Sequence, residues 1–248
     1  MSTCVSPAKK TPTEHFSVFG FVCGFLGVVA AVPVSANCAE DVARRVQARY
    51  ESVRDLRAAF SQTSQAVLFG AGDAGLGVPV QGEVVLAKPG KMRWTYVQPQ
   101  RSLVVSDGET LWMVSPDLNE AQRLPVTEGY LTGAALQFLM GAGELLESFD
   151  VSSESCPVEP TAGHAEAGNS GEIIEIDLAP KQPASYQRLG LSVKAASGEV
   201  IATRIVDLFG NQTVIAFENI EYNRKPGPAT FEYEPTPEIE VIELRSVR

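Results

Sequence analysis

The sequence predicts a mainly β protein of the α+β class, a single strongly curved antiparallel sheet with helices on its concave side. Three observations predict it. Between residues 81 and 116, four runs rich in apolar and β-branched residues (83–87, 91–97, 102–105 and 110–114) are separated by Lys-Pro-Gly, Gln-Pro-Gln and Ser-Asp-Gly, each able to reverse a chain sharply, which makes an antiparallel meander. Within it, Met92, Trp94 and Tyr96 alternate with Lys91, Arg93 and Thr95, so one face of that strand is apolar at period 2. Later runs of the same kind recur to the end of the chain, with no internal repeat and no break in composition to mark a second domain.

Length and charge bound the rest. A chain of 248 residues with 44% hydrophobic residues can bury a real core in one large β domain. The net charge of −10 argues against nucleic acid and against an anionic membrane surface, both of which need clustered Lys and Arg. At the N-terminus, Lys9 and Lys10 precede an uncharged apolar run from 16 to 36 that ends Val34-Ser35-Ala36. It reads as an export signal (1–36) cut after Ala36, leaving a domain over 37–248; a retained membrane anchor is the alternative for the same run. Residues 1–36 hold two Lys and one Glu, so the remainder has 18 basic and 29 acidic residues and a net charge of −11. Two cysteines are left, Cys38 and Cys156, and an even pair in an exported chain points to a disulfide. Lipidation of Cys38 is disfavoured by Asn37 directly before it.

Each element has its own signal. Val42, Val46, Tyr50, Val53, Leu56 and Phe60 recur at steps of three and four, which predicts an amphipathic helix over 39–62. Asn37 or Asp41 is placed to cap it, and Glu40, Arg44, Arg45, Arg49, Glu51, Arg54 and Arg57 form a solvated face. Residues 70–77 are a glycine-rich connection; no Gly-Lys-Ser/Thr follows, so a phosphate loop is not indicated. After the meander, 121–124 is a short edge strand, and 131–149 reads as two short helices broken at Gly141-Ala142-Gly143. Residues 151–171 form a polar loop. Strands follow at 172–178, 189–194, 200–207 and 212–222, the last two joined by Asp207-Leu208-Phe209-Gly210-Asn211 as a hairpin. One or two edge strands lie at 231–233 and 239–244. The total is roughly ten strands.

The chemistry of catalysis is sparse. Beyond residue 36 one histidine remains, His164, inside the polar loop. Ser-His-Asp and Cys-His sites and His/Cys metal sites therefore lack their components. Paired carboxylates are abundant, but they flank strands or lie in loops, where solubility alone would put them. No catalytic residue, metal or cofactor is expected; the sequence points to a protein that holds something apolar.

Three segments carry a family resemblance: KPGKMRWTYVQP (88–99), VVSDGETLWMVSPDL (104–118) and DLFGNQTVIAFENI (207–220). Together with Phe60-Ser61-Gln62 and the helical pair, they make the chain similar to the periplasmic outer-membrane lipoprotein carrier family, LolA. The resemblance implies an unclosed β-barrel with a helical lid over an apolar cavity. It further implies a periplasmic, monomeric carrier that takes acylated lipoproteins from an inner-membrane lipoprotein-releasing ABC transporter and hands them to an outer-membrane receptor. Lys88 stands where the family has an arginine that latches the lid, with Arg93 as a second candidate. Met92 stands for a cargo-handling aromatic at the cavity mouth. Trp94, Leu103, Val105, Ile215 and Phe217 are the expected sheet-side lining, and Leu136, Leu139 and Met140 the lid side. Rival readings are a LolB-type lipid-anchored receptor, a regulator of the same fold that senses lipoproteins, and a lipid- or glycan-acting enzyme.

Overall fold

A computed structural model describes residues 38–66, 78–126, 144–156 and 171–244. These lie within one compact unit, Ala36–Arg248. The expected export signal (1–36), Asn37, the glycine-rich residues 70–77, the expected helical residues 131–143 with Leu136, Leu139 and Met140, and His164 all fall outside the described residues.

Helix α1 (Cys38–Ser52) is followed by β1 (Asp55–Gln65), β2 (Val80–Ala87), β3 (Lys91–Gln98), β4 (Ser102–Ser106), β5 (Thr110–Ser115) and β6 (Glu120–Pro125). A single turn α2 (Leu145–Ser148) leads into β7 (Phe149–Ser152), β8 (Ile173–Pro180), β9 (Tyr186–Lys194), β10 (Glu199–Asp207), β11 (Gln212–Tyr222) and β12 (Glu240–Glu243). They form one twelve-stranded sheet in the order β12-β6-β5-β4-β3-β2-β1-β11-β10-β9-β8-β7. Its two end strands, β12 and β7, do not pair with each other, so the sheet is unclosed. The predicted mainly β architecture is what the chain adopts.

The predicted helix over 39–62 is too long. The chain leaves the helix at Ser52, and Val53, Leu56 and Phe60 belong to the turn and to β1. Leu56 and Phe60 are four apart, a step that satisfies a helix face and a strand face alike, and Ala58 between them is also buried, which only period 2 explains. The junction is held by Asp55, whose buried carboxylate accepts the backbone N–H groups of Arg224 (2.6 Å) and Lys225 (3.1 Å) from the segment after β11. Arg45 keeps to the exposed face and Arg49 is half-buried, yet both are engaged rather than merely solvated. Arg45 donates to the Ala195 carbonyl (2.7 Å) and Arg49 to Glu199 (2.8 Å), pinning α1 to the β9–β10 turn.

The tail differs from expectation in a second way. Residues 231–233 are not a strand: Pro228–Phe231 is a 3-10 turn, and Phe231 is buried. β12 then pairs parallel with β6, with Val241 opposite Ala121, so β6 is not an edge and the sheet is not wholly antiparallel. Strand β7 starts at Phe149 and extends to Ser152, where a helix end and a loop were expected.

Candidate functional site

Antiparallel partners share a face, so the pairing registers decide which side chains meet on the inner surface. Leu86, Met92, Ser106, Leu111 and Leu124 form one row across β2 to β6. Ala58, Val84, Trp94, Val104 and Met113 form the next. Phe60 then pairs Gly82 on one side and Phe217 on the other, and Gly82 pairs Tyr96. A Cβ on Gly82 would come within 2.8 Å of the Phe60 ring, so the glycine is what lets that ring lie across the sheet. Phe60 meets Trp94 at 5.0 Å and Tyr96 at 5.3 Å, both edge-on. Beyond β11 the same face continues through Ile215, Thr203, Leu191 and Ile176.

This apolar face is not evenly buried. The buried stripe of α1 (Ala39, Val42, Ala43, Val46 and Tyr50) joins one cluster with Ile174, Ile176, Leu189, Leu191, Val193 and Val200, and α1 packs over β7, β8, β10 and α2. Tyr96, Val104, Met113, Ile205, Ile215 and Phe217, on the same face, are only half-buried. Burial raises the pKa of the Tyr96 phenol, which keeps it neutral.

The sequence-read residues separate accordingly. Met92 and Trp94 are buried inner-face residues, and Ile215 and Phe217 are half-buried ones. Met92, the second residue of β3, sits between Leu86 and Ser106 and is buried in the core cluster next to the Lys88-Pro89-Gly90 turn. Leu103 and Val105 are on the other side. They pair Thr95 and Arg93, while the inward position opposite Trp94 belongs to Val104. Sequence alone misassigned them because Leu103-Val104-Val105 is apolar throughout and carries no alternation. The register set by the Pro99–Arg101 turn decides the parity. Phe60, Tyr96, Val104 and Met113 are thus inner-face residues that the sequence-read set omitted; only Met92-x-Trp94-x-Tyr96 carried a usable signal.

Val105 nevertheless is buried, together with Val85, Val114, Ala121 and Phe231, in a thin apolar layer on the outer face. The tail covers it: Tyr233 meets Trp112 at 5.4 Å, and Arg93 donates to the Thr230 carbonyl at 3.2 Å. Arg93 therefore ties down the tail and is removed from any contact on the inner side. Lys88 is different. Its Nζ donates to the Tyr50 carbonyl at 2.6 Å, at the C-terminal turn of α1, where helix carbonyls have no intrahelical donors. Burial pulls the Lys88 pKa below the ordinary lysine value, with Glu51 opposing and Arg54 reinforcing. At the helix start, Cys38 and Cys156 are joined as a disulfide, Cα–Cα 5.9 Å, closing a separation of 118 residues. Among the described residues no group of three or more His, Cys, Asp or Glu is gathered to hold a metal ion, and no helix is long and apolar enough to cross a membrane.

An unclosed sheet with one continuous apolar face, partly filled by an N-terminal helix, defines a mainly β protein of the open half-barrel class. Within that class the chain belongs to the outer membrane lipoprotein carrier protein LolA family, whose model matches residues 51–234 and so takes in β1 to β11. It is similar to outer-membrane lipoprotein carrier proteins of Nitrosospira multiformis (26% identical, 93% of this chain and 98% of the relative) and Chromohalobacter salexigens (29%, 84% and 90%). Among solved structures it is similar to a LolA superfamily protein from Nitrosomonas europaea, at 11% identity and TM-score 0.41 over 79% of this chain and 97% of that one. It is also similar to an uncharacterized conserved protein from Thermus thermophilus, at 10% identity and TM-score 0.49 over 83% and 99%.

Proposed function

We propose that this protein is a periplasmic carrier that shelters the acyl chains of lipoproteins against its inner face and moves them from the inner to the outer membrane. The observation that carries the reading is the division of that face. α1 and α2 close it on the β7–β10 side, while Tyr96, Val104, Met113, Ile215 and Phe217 continue it as half-buried apolar surface. The physical need is plain: an exposed CH₂ costs about 0.8 kcal/mol, so an acylated protein does not cross an aqueous space unshielded. Side chains from separate strands supply a broad apolar contact without a polar anchor, which suits moderate affinity and release. By family likeness the donor is an inner-membrane ABC transporter, the acceptor an outer-membrane receptor, and the carrier acts without chemistry. Lys88, bonded to the end of α1, is the latch that holds the helix against the sheet.

The direct test is titration of a fluorescent triacylated peptide. Phe217→Glu puts a charge among half-buried apolar groups and is expected to weaken binding at least about ten-fold, since an unpaired charge resists desolvation. Phe217→Leu should bind as the parent does, and equal affinity in all three proteins would remove the inner face as the binding surface. Lys88→Leu deletes one charge-assisted bond worth about 1 kcal/mol or slightly more. Backbone amides in the last turn of α1 should then exchange about five-fold faster with deuterium; unchanged protection there would rule out the latch.

A further inference from the structure

Exposed apolar residues are concentrated at one end of the sheet. Of the seven large hydrophobic side chains exposed among the described residues, five fall there: Val78 (72% exposed), Val97 (55%), Leu118 (72%), Leu208 (57%) and Phe209 (82%). The registers establish the common rim. Gln62 pairs Val80, Gln81 pairs Gln98, Ser115 pairs Glu120 and Gln65 pairs Gln212. The start of β2, the end of β3, the β5–β6 link and the β10–β11 turn therefore share one end. The opposite end carries the Lys88-Pro89-Gly90, Asp107-Gly108-Glu109 and Lys194–Glu199 turns, with Ile173 as the exposed apolar residue there.

The β10–β11 turn is closed by its own polar groups. Asp207 Oδ1 accepts the N–H groups of Phe209 (2.8 Å) and Asn211 (2.9 Å), and Oδ2 accepts the Asn211 side-chain amide (2.7 Å). Gly210 takes the positive φ of 87° that the reversal needs. Desolvation raises the Asp207 pKa, but the hydrogen bonds from Asn211, Phe209 and Gly210 outweigh it and hold the carboxyl below its usual value. Nothing in this closure uses the Leu208 or Phe209 side chains, which project from a preorganised tip.

We propose that this rim, led by Leu208 and Phe209, seats on the neutral interface of a lipid bilayer. The proposal rests on the carrier reading and gives it a docking step. Single apolar side chains are strung along the rim from the β5–β6 link to the β10–β11 turn rather than gathered into one patch; that spread fits a planar apolar medium better than a pocket on a protein. Three of the charged groups on this rim are internally used: Arg101 pairs Asp117 at 3.0 Å, and the Asp207 carboxylate is occupied by its own turn. With a net charge of −11 over residues 37–248, the protein is repelled by anionic headgroups, which selects neutral ones. Tyr96, Ile205 and Ile215 lie on the inner face towards the same end, so an acyl chain leaving the bilayer meets apolar surface near the contact. A few shallow side chains give a weak, reversible contact, which a shuttling protein requires.

The test is co-sedimentation of the exported protein with phosphatidylcholine vesicles, beside the acylated-peptide titration. The parent is expected to partition onto the vesicles. Leu208→Ser with Phe209→Ser should reduce the partition coefficient at least ten-fold while leaving peptide affinity unchanged. Phosphatidylglycerol at low salt should weaken the parent's binding. A parent that ignores vesicles, or a double variant that partitions equally, overturns the proposal; so does binding only to vesicles that contain membrane protein, which would assign the tip to a protein partner. A parent that partitions but fails to hold the peptide keeps the membrane contact and removes the carrier reading.

Discussion

Phe60→Ala is expected to lower the stability of the folded protein by about 3 to 5 kcal/mol, the range for deleting a fully buried aromatic ring. The ring is buried at the centre of the inner face. It lies over Gly82, touches Trp94 and Tyr96 edge-on at 5.0 and 5.3 Å, and faces Phe217 across the β1–β11 ladder. Neighbouring strands cannot move in to fill the gap, because their spacing is held by ladder hydrogen bonds on both sides of β1. The measurement is urea unfolding followed by Trp fluorescence, to which Trp94 and Trp112 both contribute. A midpoint shift equivalent to under 1 kcal/mol would show that the aromatic cluster collapses into the space the ring leaves. A variant that keeps its fold should also bind acylated peptide differently, because the same ring borders the half-buried surface.

Replacing Cys38 and Cys156 together by serine is the second large effect. The bond closes a separation of 118 residues, and in the chain-entropy view a loop of that length contributes about 4 to 5 kcal/mol by restricting the unfolded chain. Real bonds deliver less than that limit, so a loss of about 3 to 4 kcal/mol and a Tm about 10 °C lower is the expected result. Its location also matters. The bond anchors the first residue of α1 beside the end of β7, and Lys88 holds the last turn of the same helix. With both ends fastened, α1 is kept over the β7–β10 side. Calorimetry of the oxidised parent and the double variant measures the loss, and a Tm difference under 2 °C would mean that packing of the Val42, Val46 and Tyr50 stripe holds the helix alone.

How far the residues speak for themselves varies along the chain. The meander was legible because Lys88-Pro89-Gly90, Gln98-Pro99-Gln100 and Ser106-Asp107-Gly108 are local signals, written in residues whose backbone preferences need no partner. The β11 limits and the Asp207–Asn211 turn were readable for the same reason. The α1–β1 boundary was not: residues 53–60 satisfy two periods at once, and the choice of strand follows from β2 and β11 lying ready on either side. The tail was harder again. Its 3-10 turn and parallel β12 answer to a sheet edge and an outer-face layer that exist only once β3, β5 and β6 are assembled.

The binding surface divides in the same way. The sequence by itself carries the mainly β class and, through motif resemblance, the carrier family; it also places Met92, Trp94, Ile215 and Phe217 on an apolar strand face, since alternation is a local property of each strand. Tertiary structure alone decided that Val104 and Met113 look inward while Leu103, Val105 and Arg93 look outward. Side-chain parity between strands is set by pairing register, a relation between segments that no single segment records. The same register gathered five apolar side chains from four separate stretches onto one rim, and it is that gathering, rather than any one residue, that gives the protein a surface to meet a membrane.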